Sequence, residues 1–402
     1  MLQTNFNRKL VPIPSLRTGE KQVNKHAGMA ENILHPLTIA QNPAPQSVSA
    51  PRSEKITGQS SLAIGNIKAS KVPDVTRILV PHTAFAEASG RIERCFELAV
   101  DATEPVCIAL IGESRTGKSR VLETCCLNHP SRRLDDGMFV PIVRVKVQSK
   151  PTVKGLCELL LDALGAPDSH RGTEQEKTRR LKVLWKKTQS RMLMVDEFQH
   201  FVDKTTWLVQ HHVADWLKIF VDDLHCTLVV AGLPSCKAVI DQNEQLAGRF
   251  LAPIEMPRFS WGNIEEQREF KAILRTFHEA LRADFDLPQF HLDEMAFRWY
   301  CATGGLIGYL TKILRLVVSE AVADKRKQIT LIDLDQAHIR AVWTTSLPDA
   351  PRPFRDDFRA VETAELIERV ALVGTAGIPP VTSRKILRNR SRNTASQVLV
   401  AK

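Results

Sequence analysis

Aromatic residues are scarce in this chain of 402 residues: they make up 6%, with only two Tyr beside six Trp and sixteen Phe. Long apolar runs are missing. Stretches such as Val106-Cys107-Ile108-Ala109-Leu110-Ile111 fall far short of the roughly 20 residues of a membrane helix, so no membrane span is expected. The opening MLQTNFNRKL lacks the apolar segment of a signal peptide, so secretion is not expected. C-x-x-C spacing is absent among the eight cysteines, which removes the usual zinc and dithiol signatures and points to buried, reduced thiols in the cytoplasm. What is present, 43% apolar and 25% charged residues, can bury a core in two or three soluble domains.

The formal charge of +10 is concentrated at the two ends. Residues 1–75 carry nine Lys or Arg against four acids, and residues 371–402 carry six against none. The stretch between them is close to neutral. Basic arms on a neutral body suit a polyanion, most simply nucleic acid, or are solvated tails.

Residues 1–75 hold seven of the 22 prolines and show no sustained period, which reads as a mostly disordered basic arm. From there the pattern is globular. Phe85 to Val100 places Ile92, Cys95, Phe96 and Ala99 on one helical face. Helices are expected over 119–127, 153–164, 174–190 and 207–223. Strands are expected over 106–111, 139–147, 191–195, 227–231 and 251–256. Buried strands alternating with helices imply an α/β domain over 76–257, a parallel sheet sandwiched by helices. Helices over 264–282, 291–301, 306–324 and 331–343 form a smaller all-helical domain over 258–345, with Thr330 as an N-cap. Residues 346–402 form a proline-broken basic tail holding one short helix over 360–372.

The most specific signal is Gly112-Glu113-Ser114-Arg115-Thr116-Gly117-Lys118-Ser119, followed by Arg120. It matches G-x-x-x-x-G-K-[ST], follows a buried strand and opens a helix. Backbone N–H groups of such a loop wrap phosphates, and the helix N-terminus favours their charge. Lys118 is placed to reach the β- and γ-phosphates and Ser119 to bind Mg²⁺. A second buried strand, Met192-Leu193-Met194-Val195, ends in Asp196-Glu197. Asp196 suits a water-mediated Mg²⁺ contact and Glu197 suits a water-polarising base, which favours hydrolysis of ATP over binding alone. Arg249, just before the last expected strand, is a candidate arginine finger reaching a neighbouring subunit. No N-K-x-D motif for guanine is evident, which favours ATP.

The ordered set GESRTGKS, MLMVDEFQH, TLVVAGLPS, QLAGRF and TGGLIGYLTKIL resembles the AAA+ ATPases of the TniB/TnsC type, regulators of Tn-family transposition. The resemblance covers about 76–345. It implies a P-loop AAA+ sheet followed by a helical lid that opens at Gly304 to Tyr309. It also implies ATP-dependent rings or helical filaments on double-stranded DNA, linking a target-selection protein of the TniQ type to a transposase in the bacterial cytoplasm, at the nucleoid. The turn Ala231-Gly232-Leu233-Pro234 lacks the polar sensor residue common in AAA+ proteins, and Tyr309 stands where many carry an arginine, with Lys312 the nearest basic residue. Slow or partner-stimulated hydrolysis is therefore expected.

A DNA-coating ATPase contacts phosphates rather than bases. The strand-to-helix segment with Lys146, Lys150, Thr152 and Lys154 is the candidate. Lys177, Arg179, Arg180, Lys182, Lys186 and Lys187 read instead as a solvated helix face. Trp207, Trp216 and Phe220 read as packing residues, His211-His212 as surface and Asp222-Asp223 as a helix end. A replication-initiator or helicase-loader ATPase and a nucleotide-binding signalling module are the competing readings.

Overall fold

The structure, a computed structural model, describes residues 75–98, 104–135, 137–148, 151–203, 206–342 and 351–374. Five strands form one parallel sheet: β1 (Cys107–Gly112), β2 (Ile142–Lys146), β3 (Met192–Asp196), β4 (Thr227–Gly232) and β5 (Ile254–Met256), in the order β2-β3-β4-β1-β5. β1 pairs with β4 from Cys107↔Leu228 to Ile111↔Gly232 and with β5 from Leu110↔Ile254 to Gly112↔Met256. Because β4 lies between them, the carboxyl ends of β1 and β3 flank a crevice, where open α/β sheets place their ligands.

The sheet is buried on both faces, so its strands read as continuous apolar runs. Alternate residues serve opposite cores. Cys107, Ala109 and Ile111 face one core, which includes residues of α3 (Val153–Ala163), α4 (Glu174–Lys187) and α5 (Trp207–Leu224). Ile108 and Leu110 face the other, with α1 (Thr83–Leu98) and α2 (Lys118–Asn128). Ala99 and Val100, expected to extend α1, lie outside the described residues.

Prolines shorten two expected strands. The run 139–147 breaks at Pro141, whose missing N–H cannot serve a ladder. Phe139 instead ends a two-stranded antiparallel hairpin, Arg132–Leu134 with Gly137–Phe139, and β2 starts at Ile142. Pro253 likewise delays β5, leaving only an isolated bridge between Phe250 and Cys107 before it. Single-turn helices at His200–Asp203, Lys237–Ile240 and Glu244–Ala247 are too short to leave a period in the sequence.

Helices α6 (Ile264–Leu281), α7 (Asp293–Thr303), α8 (Ile307–Ala323) and α9 (Leu331–Ala341) pack around a separate core containing Phe270, Leu274, Trp299, Leu310 and Leu334. Thr330 caps α9 in a reciprocal box with Asp333. The proline-broken segment after α9 is not an irregular tail throughout. Residues 351–374 dock on this helical core, with Phe354, Val370 and Val373 buried and a helix, α10, at Ala364–Val370. Arg298 holds the segment by donating to the carbonyls of Pro353 (2.6 Å), Arg355 (2.9 Å) and Phe358 (3.2 Å). These anchors are backbone carbonyls in non-helical chain, which no side-chain pattern announces. The arm before Val75 and the basic stretch Arg384 to Arg392 lie outside the described residues. No helix among the described residues is long and apolar enough to cross a membrane.

Candidate functional site: a nucleotide pocket between sheet and lid

The loop from β1 to α2 turns on Gly117, whose φ of 103° caps α2 from the left-handed region. Lys118 is 9% exposed and donates to the carbonyls of Gly112 (2.8 Å) and Glu113, so the ammonium sits inside the loop's curve. Burial lowers its pKa, against the pull of Glu197 and Asp196. Ser114 to Arg120 line a cavity of about 420 Å³, together with Asp196, Glu197 and Gln199. A volume of that size is in the range of small-ligand sites. The donor set fits Mg²⁺ beside phosphate, since the Ser119 hydroxyl and the Asp196 carboxylate line the same cavity.

The opposite wall is apolar. Ile78, Leu79, Val80, His82 and Phe85, leading into α1, line it with Phe277 and Ile307 of the helical domain. Desolvation lowers the pKa of His82, which packs edge-on against Phe259. This wall suits a purine ring.

The lid touches the loop directly. Gly308, in the first turn of α8, donates its N–H to the Arg115 carbonyl at 2.9 Å. A Cβ on Gly308 would lie 2.7 Å from that of Arg115, so only glycine permits the approach. Tyr309 takes the Arg115 guanidinium over its ring at 4.6 Å, so at this lid position an aromatic ring meets a basic residue of the loop. Lys312 is half-buried, its pKa lowered first by desolvation and then by Arg115 and Arg315.

Asp196 is nearly buried and pairs with Arg144 of β2 at 3.0 Å. Glu197 adopts a left-handed φ of 57° and lies 3.5 Å from Lys146 at the end of β2. Among the other expected phosphate contacts, Thr152 is the N-cap of α3, its hydroxyl accepting from Gly155 N–H at 3.0 Å. Lys154 is exposed on the first turn of α3. Lys150 lies outside the described residues.

Arg249 is not in this pocket. Its carbonyl accepts from Cys107 N–H where β1 begins, about 16 Å of strand away from the phosphate loop. Its guanidinium is held by Asp222 through both oxygens, at 2.7 and 2.9 Å. Asp222-Asp223 is thus more than a helix end: Asp223 pairs with Lys182. Lys177 departs from the expected solvated face. It is fully buried, donating to the carbonyls of Ser169 (2.6 Å) and Arg171 (3.1 Å) and pairing with Glu158. Trp207 is 63% exposed while Trp216 and Phe220 are buried. Nine residues along a helix turn the face by half a circle, so Trp207 and Trp216 point oppositely. His211 and His212 bind separate acids, Asp215 and Glu174, and share no ligand. All eight cysteines are free and seven are buried, with burial pushing the Cys107 thiol up to about 12.

Strand order β2-β3-β4-β1-β5, a phosphate loop after β1, an acid pair after β3 and a helical domain seated against the loop define the P-loop AAA+ fold. Residues 76–261, which hold the whole sheet, match the model of the family described as Bacterial TniB protein. That match agrees with the TniB/TnsC-type motifs in the sequence. No curated protein matches the chain. Among solved structures, CDC6P from Pyrobaculum aerophilum is 15% identical over 68% of this chain and 69% of its own, with a TM-score of 0.49. The Aeropyrum pernix ORC2 protein in ADPNP–ADP complexes is 12% identical over 64% and 67%, with a TM-score of 0.45. The Aeropyrum pernix ORC1 protein in complex with DNA is 14% identical over 68% of each chain, again at 0.45.

Proposed function

We propose that this protein is an ATP-hydrolysing regulator of DNA transposition that assembles on double-stranded DNA when ATP is bound. It then links a target-selection protein of the TniQ type to the transposase, in the bacterial cytoplasm at the nucleoid. The observation that carries this reading is the TniB match over the domain that contains the phosphate loop and the Asp196-Glu197 pair. The basic ends of the chain add phosphate-binding capacity without base reading.

In this reading the loop N–H groups and Lys118 hold the phosphate chain of ATP. Ser119 and, through water, Asp196 would hold Mg²⁺, which would neutralise charge on the phosphates. Glu197 orients a water and accepts its proton as the water oxygen bonds to the γ-phosphorus and the bond to the bridging oxygen breaks. ADP and phosphate are the products. Arg249, remote from its own pocket, serves the pocket of the next subunit in a ring or filament. Lys146, Lys150, Thr152 and Lys154 contact DNA phosphates.

Electron microscopy of the full chain on long double-stranded DNA tests the reading. Filaments or stacked rings on DNA of arbitrary sequence, formed with ATP or a non-hydrolysable analogue and absent without nucleotide, are expected. Absence of assembly with nucleotide present sinks the scaffold mechanism and favours a loader or signalling ATPase.

A further inference from the structure

Gln199 stands two residues past Glu197 and is 5% exposed. Its side-chain oxygen accepts from the Leu233 backbone N–H at 3.2 Å, in the turn that leaves β4. Its side-chain nitrogen donates to Glu197 Oε2. The chemistry of the partners fixes which way the amide points. A backbone N–H requires the oxygen and a carboxylate requires the N–H, so a flip breaks both bonds.

β4 leaves room for this bridge. A Cβ on Gly232 would lie 2.4 Å from Gln199 Oε1 and 2.4 Å from Cys236 Sγ, so a side chain there expels the amide. Glu197 itself sits at a left-handed φ that surrounding bonds must hold. One such bond is its own N–H to Asp196 Oδ1, at 3.0 Å. Lys146 approaches from the other side but is 69% exposed and screened by water. The buried amide is the firmer of the two side-chain contacts to the carboxylate.

We infer that Gln199 is the positioning residue for Glu197, fixing the carboxylate against the turn at the end of β4. The inference rests on the reading of Glu197 as the water-orienting base. It also accounts for the apolar turn Ala231 to Pro234: the polar contact at that strand end comes from the end of the neighbouring strand. A neutral N–H donor occupies one oxygen of Glu197 and leaves its other lone pairs free for water.

Gln199→Glu in the full chain separates positioning from structure. The replacement is nearly isosteric and keeps an acceptor for Leu233 N–H, but it sets a second carboxylate against Glu197 in place of a donor. The expected result is a kcat lowered about tenfold or more. KM for ATP stays near the wild-type value, so the loss falls on kcat. Affinity for a fluorescent ATP analogue stays within about twofold, since the phosphate loop is untouched. Hydrogen exchange over residues 231–236 is unchanged. A wild-type kcat overturns the proposal. Should Gln199→Glu not fold, Gln199→Asn, one methylene too short to span both partners, is read by the same kcat and nucleotide affinity. Glu197→Gln is the control for the underlying reading: if it hydrolyses ATP like the wild type, that reading falls rather than the placement of Gln199.

Discussion

Arg258 grips Glu113 of the phosphate loop through both carboxylate oxygens, with Nε 2.9 Å from Oε1. The third guanidinium nitrogen donates to the carbonyls of Gly304 and Val373, each at 3.2 Å. One side chain thus ties the loop to the turn before α8 and to the docked C-terminal segment. The hydrogen bond from Arg258 holds the Glu113 carboxyl below its ordinary range, burial opposing. Arg258→Ala is expected to lower the melting temperature by about 2–4 °C, since Glu113 is half-exposed and part of the pair's value is screened. Hydrogen exchange should rise at 304–308 and 370–374 together. Faster exchange in only one of the two would show that Arg258 does not couple them. The sign for pH follows from the lowered pKa: the pair is intact above the ordinary Glu range and loosens as pH falls through the folded value.

None of this was legible in the sequence, because Glu113 and Arg258 stand 145 residues apart and neither lies in a periodic context. The phosphate loop and Asp196-Glu197 were legible because their chemistry is contiguous and each follows a buried strand. The sheet was legible because its strands are buried on both faces. What escaped was every partner that the fold brings in from elsewhere: Arg144 for Asp196, Asp222 for Arg249, and Gln199 with Leu233. Lys177 escaped for the opposite reason, since its spacing resembles a solvated face and only the tertiary contact with the 169–171 turn buries it.

Lys146 and Lys154 should part company under mutation. Each to Ala is expected to weaken binding to long double-stranded DNA about threefold to tenfold and to reduce the salt slope by about one. Lys146 also faces Glu197. Its loss removes a charged contact from Glu197, so ATP hydrolysis should slow by up to about twofold, the pair being exposed. Lys154→Ala should leave that rate in place. An unchanged rate in both, with DNA affinity reduced, would show that the pair does not bear on Glu197 during turnover.

Arg249 and Asp222 form a pair that a finger must leave. If Arg249 serves a neighbouring pocket, Arg249→Ala lowers hydrolysis by about 100-fold or more in the DNA-bound assembly. Nucleotide affinity of the dilute protein then changes little. Asp222→Ala frees the guanidinium and should retain or raise the assembled rate. A structural tie alone predicts that both variants lose stability alike and that neither lowers the assembled rate beyond that loss. Measuring hydrolysis against DNA concentration for both variants distinguishes the two outcomes.

His338 makes the helical domain sensitive to mild acid. The ring is 4% exposed, with Nδ1 buried and unpartnered, and packs edge-on against Phe354 of the docked segment. Desolvation lowers its pKa to about 4, with Asp335 pulling the other way. The unfolded chain binds the proton near pH 6.5 and the folded chain does not, so stability falls as pH drops through that window and levels off near the folded value. Between pH 7 and pH 5 the loss from this one group is about 2 kcal/mol. Urea unfolding at the two pH values should show that loss in the wild type and not in His338→Gln. Equal losses in both would place the acid sensitivity in other groups. The contact with Phe354 gives the change a location: as His338 takes up its proton, the charged ring no longer tolerates the dry face of the C-terminal segment, and residues 351–374 should gain hydrogen exchange before α6 does.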